Sequence, residues 1–212
     1  MRGRCVAELE EKKPFSVELF LRTTFKGLLD SMAAFFNRIG LKPNTMTILG
    51  LALSFVGAIL LGMGQITLGG IIILIAGPFD AVDGSMARLR GEPKLFGGFA
   101  DSVSDRYAEL AIFGGLMVYY ASQGNMIFCL LVYLAASGSV MVSYIRARAE
   151  ALKFDAKVGM LTRVERYLVL APCLVFNIPI VAVCIIAFFS HLTAIQRILH
   201  VRRQARQIKE IL

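Results

Sequence analysis

Apolar residues gather along the chain into long runs separated by short polar stretches, and the lengths of those runs set the first expectation. A bilayer core of about 30 Å is crossed by roughly 20 helical residues. One run covers 45–63 and follows "KPN", where Pro43 and Asn44 signal a helix start. A second begins at 66 and enters the region of Asp80, with Pro78 inside it predicting a kink or local break. A third spans 95–121, and a fourth spans 126–144 and continues as the polar helix "IRARAEAL". The last apolar stretch, 167–190, is broken at "NIP" (177–179) and reads as two helices, the first extended downward by 163–166. One proline-kinked span is the alternative there. The fold class expected is therefore all-α integral membrane, with six transmembrane helices.

Six spans put both termini on one side, and the charges sort accordingly. The N-terminal segment, "RLRGEPK", "IRARAEALKFDAK", "TRVER" and the tail from Arg197 share one side, while "GQ", "SQGN" and "NIP" on the other carry no charge. Lys and Arg accumulate in cytoplasmic loops, so termini and charged loops are expected in the cytoplasm, with the protein in the cell membrane. "FSVELFLRTTFKGLLDSMAAFFNRIG" (15–40) repeats apolar residues at helical spacing with Arg22, Lys26 and Arg38 among them. That predicts an N-terminal amphipathic helix lying in the interface. Residues 1–44 then form a cytoplasmic segment, 45–200 a six-helix domain and 201–212 a basic tail.

Composition agrees with this picture. The 212 residues are 57% hydrophobic and only 18% charged, whereas soluble domains lie nearer half apolar and a quarter charged. The four cysteines have no paired spacing and the two histidines are isolated, so neither a disulfide framework nor a zinc site is indicated. A net charge of +8 is accounted for by membrane topology, and nucleic acid is not an expected partner.

The stretch that demands chemistry is "FDAVDGSMARLRGEPKLFGGFADSVSDRYAEL" (79–110). Asp80, Asp83 and Ala87 lie three or four residues apart at the cytoplasmic end of the second span. Gly97, Asp101 and Asp105 are spaced by four at the start of the third. Each set lines one helical face. Carboxylates close to hydrocarbon are costly and repel one another. A hard divalent cation with oxygen ligands removes the conflict, and Mg²⁺, with Mn²⁺ as the alternative, suits acids that also meet substrate phosphates. Helix capping or ion pairing with Arg88 and Arg106 is the plainer reading.

The pattern Asp80-x2-Asp83-Gly84-x2-Ala87-Arg88-x8-Gly97-x3-Asp101-x3-Asp105 resembles the signature of the CDP-alcohol phosphotransferases at every fixed position. The resemblance implies that an alcohol attacks the β-phosphate of a CDP-linked lipid and CMP leaves. Asp80, Asp83 and Asp101 would hold the metal. Asp105 would be the general base, with a share in a metal site. Asn44, Thr47, Gly84, Ser85, Ala87, Arg88 and Gly97 would contact the CDP-lipid, the small residues permitting close approach and Arg88 meeting phosphate. Members of the family are often homodimers, and "LAASGSV" (134–140) offers small residues for close helix packing or a dimer face.

The signature leaves the acceptor open. "SYIRARAEA" (143–151) and "GMLTRVERYLVL" (159–170) resemble segments of those family members that use inositol 1-phosphate. That resemblance implies an acceptor-phosphate site at Arg146, Arg166 and Arg197, with Arg163 beside them. Arginine suits such a site because it binds phosphate bidentately; topology and headgroup contact are the plainer explanation. The expected substrates are CDP-diacylglycerol and inositol phosphate, the expected product phosphatidylinositol phosphate. The alternatives are phosphatidylglycerophosphate synthesis and, from another class, a cation transporter. The last is disfavoured because the outer halves, "GAILLGMG" and "FGGLMVYYAS", have no ionisable path beyond tyrosines.

Overall fold

A computed structural model describes residues 23–91 and 95–211, leaving the side chains of Asp80, Leu95 and 208–211 outside the description. Among the described residues the long elements are all helices: α1 (Lys26–Arg38), α2 (Pro43–Gly62), α3 (Ile66–Arg90), α4 (Leu95–Ser122), α5 (Met126–Ala151), α6 (Arg163–Val175) and α7 (Pro179–Ile211). Local signals explain the boundaries. Pro43 opens α2 after an extended Lys42, and left-handed Gly91 (φ 66°) closes α3. The Asn125 side chain caps α5 by accepting from the Phe128 N–H at 3.2 Å. Thr162 and Glu165 form a capping box at the start of α6. Left-handed Asn177 (φ 58°) ends α6 before Pro179 starts α7, so "NIP" separates two helices as expected.

Among the described residues, four helices are long and apolar enough to cross a membrane: α2, α3, α5 and the 179–207 part of α7. The short α6 and the charge-bearing α4 fall outside that group, so length and composition alone support four spans. Helix α3 continues through Pro78, and residues 201–211 prolong α7 without a break. Of the amphipathic segment, 15–22 lies outside the described residues. Helix α1 buries Ala33 against Met46, Val82 and Met86 while exposing Leu28 and Phe35. It is held by Arg90, which donates to the Asn37 side chain (2.7 Å) and the Leu41 carbonyl (2.6 Å).

Backbones approach closely where glycines allow it. A Cβ on Gly115 would lie 2.2 Å from the Ala58 carbonyl oxygen, and one on Gly57 would lie 2.6 Å from Ile73. Helix α2 thus seats both α4 and α3, the two acid-bearing helices. The pairs Ala58–Gly115 and Gly62–Val118, with Asp105–Arg163 and Glu109–Arg166, run α2, α4 and α6 in one direction. Leu134–His191 and Val142–Arg197 run α5 parallel to α7, and Gly77–Tyr167 runs α3 against α6. The main core lies between them, around Phe113, Leu116, Leu174 and Ile186. Small residues of "LAASGSV" are used inside the chain: Ala135, Gly138 and Ser139 are buried, and a Cβ on Gly138 would lie 3.0 Å from Ser190 of α7. That motif therefore packs helices within one chain, which removes it as an argument for a dimer face.

Candidate active site

Helices α2, α3, α4 and α6 bring the site together. Spacing by four on α4 places Asp101, Asp105 and Glu109 in one row. The capping box fixes the first turn of α6 so that Arg163 and Arg166, one turn apart, face that row. Two rungs result. Arg163 pairs with Oδ1 of Asp105, whose Oδ2 lies 3.5 Å from Arg106. Arg166 binds Glu109 through both ends of its fork, Nε to Oε1 at 2.7 Å and Nη2 to Oε2 at 3.1 Å. Arg166 is only 2% exposed and also donates to the Leu161 carbonyl at 3.4 Å, whereas the Arg163 side chain is 43% exposed. A cavity of about 90 Å³ opens here, lined by Thr47, Asp105, Glu109, Arg163, Arg166 and Tyr167.

Beside the cavity, α3 carries Asp83, which is buried and accepts a hydrogen bond from the hydroxyl of Thr47, the α2 residue that lines it. Thr47, expected to touch the CDP-lipid, thus contacts one of the predicted metal ligands. Asp80 belongs to α3, but its side chain lies outside the described residues. Among the described residues no three His, Cys, Asp or Glu side chains form a metal-binding group. The donors at Asp83, Asp101 and Asp105 are nevertheless all carboxylate oxygens, the chemistry that fits Mg²⁺ or Mn²⁺.

The expected CDP-lipid positions present an open face. A Cβ on Gly97 would meet nothing within 4 Å, and one on Gly84 only the Arg88 guanidinium at 3.8 Å. Arg88 is exposed and donates to buried Ser85 on its own helix. Ala87 is half-buried, and Asn44 is exposed in the first turn of α2.

The four expected acceptor arginines separate. Arg163 and Arg166 line the cavity. Arg146 pairs with Glu150 along α5 at 2.9 Å, outside it. Arg197 is buried and donates to the carbonyls of Val158 (2.9 Å) and Val142 (2.6 Å), tying the 152–162 segment to α5 and α7. Sequence reading missed Glu109, although it extends the spacing of four that joins Gly97, Asp101 and Asp105. It also missed the Thr-x-x-Glu capping signal within "TRVER", which gives Glu165 a structural role.

The model of the CDP-alcohol phosphatidyltransferase family matches residues 41–203. A phosphatidylinositol phosphate synthase of Streptomyces avermitilis is 36% identical, over 89% of this chain and 83% of its own. Two crystal structures of Mycobacterium tuberculosis phosphatidylinositol phosphate synthase, each 29% identical and covering 82% of this chain, superpose on it. The one with CDP-DAG bound has a TM-score of 0.75 over 92% of that chain. The one in complex with manganese and citrate has a TM-score of 0.76 over 88%.

Proposed function

The chain belongs to the CDP-alcohol phosphatidyltransferase family, and we propose that it transfers the phosphatidyl group of CDP-diacylglycerol to inositol 1-phosphate, releasing CMP and forming phosphatidylinositol phosphate. The observation that carries the choice of acceptor is Arg163 of α6, held by a capped first turn on the cavity that contains Asp105 and backed by the buried Arg166–Glu109 pair. Identity to the Streptomyces synthase supports the same choice.

The acceptor hydroxyl oxygen forms a bond to the β-phosphorus, the bond from that phosphorus to the bridging oxygen breaks, and CMP departs. Asp105 takes the hydroxyl proton. Asp80, Asp83 and Asp101, with a share for Asp105, would hold a Mg²⁺ or Mn²⁺ ion, which neutralises phosphate oxygens when bound. Arg88 meets the diphosphate, and the open backbone at Gly84 and Gly97 lets the nucleotide lie close to α3 and α4. Arg163, on the exposed side of the cavity, makes first contact with the acceptor phosphate. Arg166 is committed to Glu109 and shapes the pocket behind it.

Six crossings with both termini and the active end in the cytoplasm complete the proposal. So does a homodimer, which cross-linking in the membrane tests: monomer alone would remove it. The decisive experiment mixes purified protein, CDP-diacylglycerol and Mg²⁺ with inositol 1-phosphate, glycerol 3-phosphate, inositol or serine, and measures CMP release. Release with inositol 1-phosphate is expected. Release only with glycerol 3-phosphate would move the function to phosphatidylglycerophosphate synthesis.

A further inference from the structure

Pro78 lies inside α3, between the apolar half of that helix and the acids at Asp80 and Asp83. A helical proline has no N–H to donate to the carbonyl four residues earlier, here Leu74, and in a membrane-spanning helix a carbonyl without a donor is costly because hydrocarbon supplies none. The Tyr167 hydroxyl of α6 lies 2.9 Å from the Leu74 oxygen and 3.0 Å from that of Ile73. Gly77 makes the approach possible, since a Cβ there would lie 2.2 Å from the Tyr167 hydroxyl oxygen and 2.3 Å from Cζ. The donor that α3 lacks is thus supplied by another helix, at Leu74, six residues before Asp80.

The neighbouring residue extends the arrangement. Arg166 holds Glu109 of α4, one turn beyond Asp105. Two successive residues of α6 therefore grip the two acid-bearing helices, each close to its acids. We propose that Tyr167 is a positioning residue: its hydroxyl replaces the amide proton that Pro78 lacks and, together with Arg166, sets the spacing between the Asp80/Asp83 face and the Asp101/Asp105 face. The inference rests on the metal-dependent reading above. Groups that orient metal ligands without touching the ion typically change metal affinity about 10- to 100-fold when removed.

The test measures Mn²⁺ binding by the full-length protein in detergent, from the electron paramagnetic resonance signal of free Mn²⁺, without substrate. Tyr167→Phe keeps the ring and removes the hydroxyl, and should weaken binding about tenfold. Pro78→Ala restores an N–H to α3. In that background Tyr167→Phe should leave affinity unchanged within about twofold, because Leu74 now has a donor in its own helix. A change confined to thermal stability, with Mn²⁺ affinity constant, would overturn the proposal. Equal loss with and without Pro78 would also overturn it, since the hydroxyl would then act elsewhere. Gly77→Ala, which drives a methyl group into the tyrosine, should weaken binding in the same direction. Absence of Mn²⁺ binding by the unaltered protein would overturn the metal reading and the positioning role together. Binding that Tyr167→Phe leaves unchanged would overturn the positioning role alone.

Discussion

Asp105 and Glu109 are both acids on one face of α4, each met by an arginine of α6, yet their surroundings give them different work. Glu109 is clasped by a buried, two-pronged Arg166, and removing one member of such a pair leaves an unpaired charge away from water. Arg166→Ala should therefore cost about 3–5 kcal/mol of stability, read as a lower unfolding midpoint in detergent. Arg163 is far more exposed. Arg163→Ala should leave that midpoint nearly unchanged and lower kcat/KM for inositol 1-phosphate roughly ten- to hundredfold, with little change in the KM for CDP-diacylglycerol. Equal behaviour of the two variants would contradict the division of labour. Asp105→Asn should retain CDP-lipid binding while transfer falls about 10²–10⁴-fold, the usual contribution of a positioned base; parallel loss of binding would make it a metal ligand first. The row of Asp101 and Asp105 was legible in sequence because helical spacing turns positions four apart into one face, whereas Arg163 and Arg166 were reached only through the family resemblance. Arg197 was not: it reads as a phosphate ligand until its donors are seen on the carbonyls of Val142 and Val158. Tyr167 and Leu74 are 93 residues apart, and no local pattern reports that meeting.

Among the elements, α4 shows how hydropathy misleads. Asp101, Asp105, Arg106 and Glu109 lower its average, but Asp105 and Glu109 face the cavity and the arginines of α6. Phe96, Phe99, Val103, Tyr107, Leu110 and Val118 are exposed at helical spacing on the other side. That stripe is what a crossing helix presents to lipid, and its length, 95–122, is sufficient for a bilayer. The helix boundaries were readable because prolines, glycines and Asn125 mark them. Helix contacts were less so, because a glycine's partner lies on another helix. Gly114 and Gly115 look equivalent in sequence, yet a Cβ on Gly114 meets nothing within 4 Å while one on Gly115 strikes the Ala58 backbone. Gly115→Ala should cost about 1–3 kcal/mol and, by shifting α4 from α2, lower transfer activity. Gly114→Ala should do neither, and thermal unfolding of the two proteins side by side decides the point.

For the molecule as a whole, direction of the helices joins the charge pattern to a topology that can be tested. The six helices from α2 to α7 alternate in direction. If all six cross, the uncharged link at 123–125 lies outside and the charged link at 152–162 lies inside with the chain ends. If only the four most apolar helices cross, α4 and α6 drop out and the two links exchange sides. The contacts favour six. The Asp155 N–H donates to the Gln204 side chain at 3.0 Å, and Gln204 donates back to the Asp155 carbonyl at 2.6 Å. The 152–162 link therefore sits beside the C-terminal end of α7, together with Arg202, Arg203 and Arg206. In the proposed topology that end is cytoplasmic, as the positive-inside preference expects, on the same side as the acids and the water-soluble acceptor. In a chain whose four cysteines are replaced by alanine, Gln123→Cys should react with a membrane-impermeant maleimide on intact cells. Lys157→Cys should react only after the membrane is opened. The reverse result would restore four crossings, with the charged α4 flat at the cytoplasmic surface instead of carrying its acids at the head of a span, and labelling of neither from outside would exclude both topologies, since α5 could then not cross.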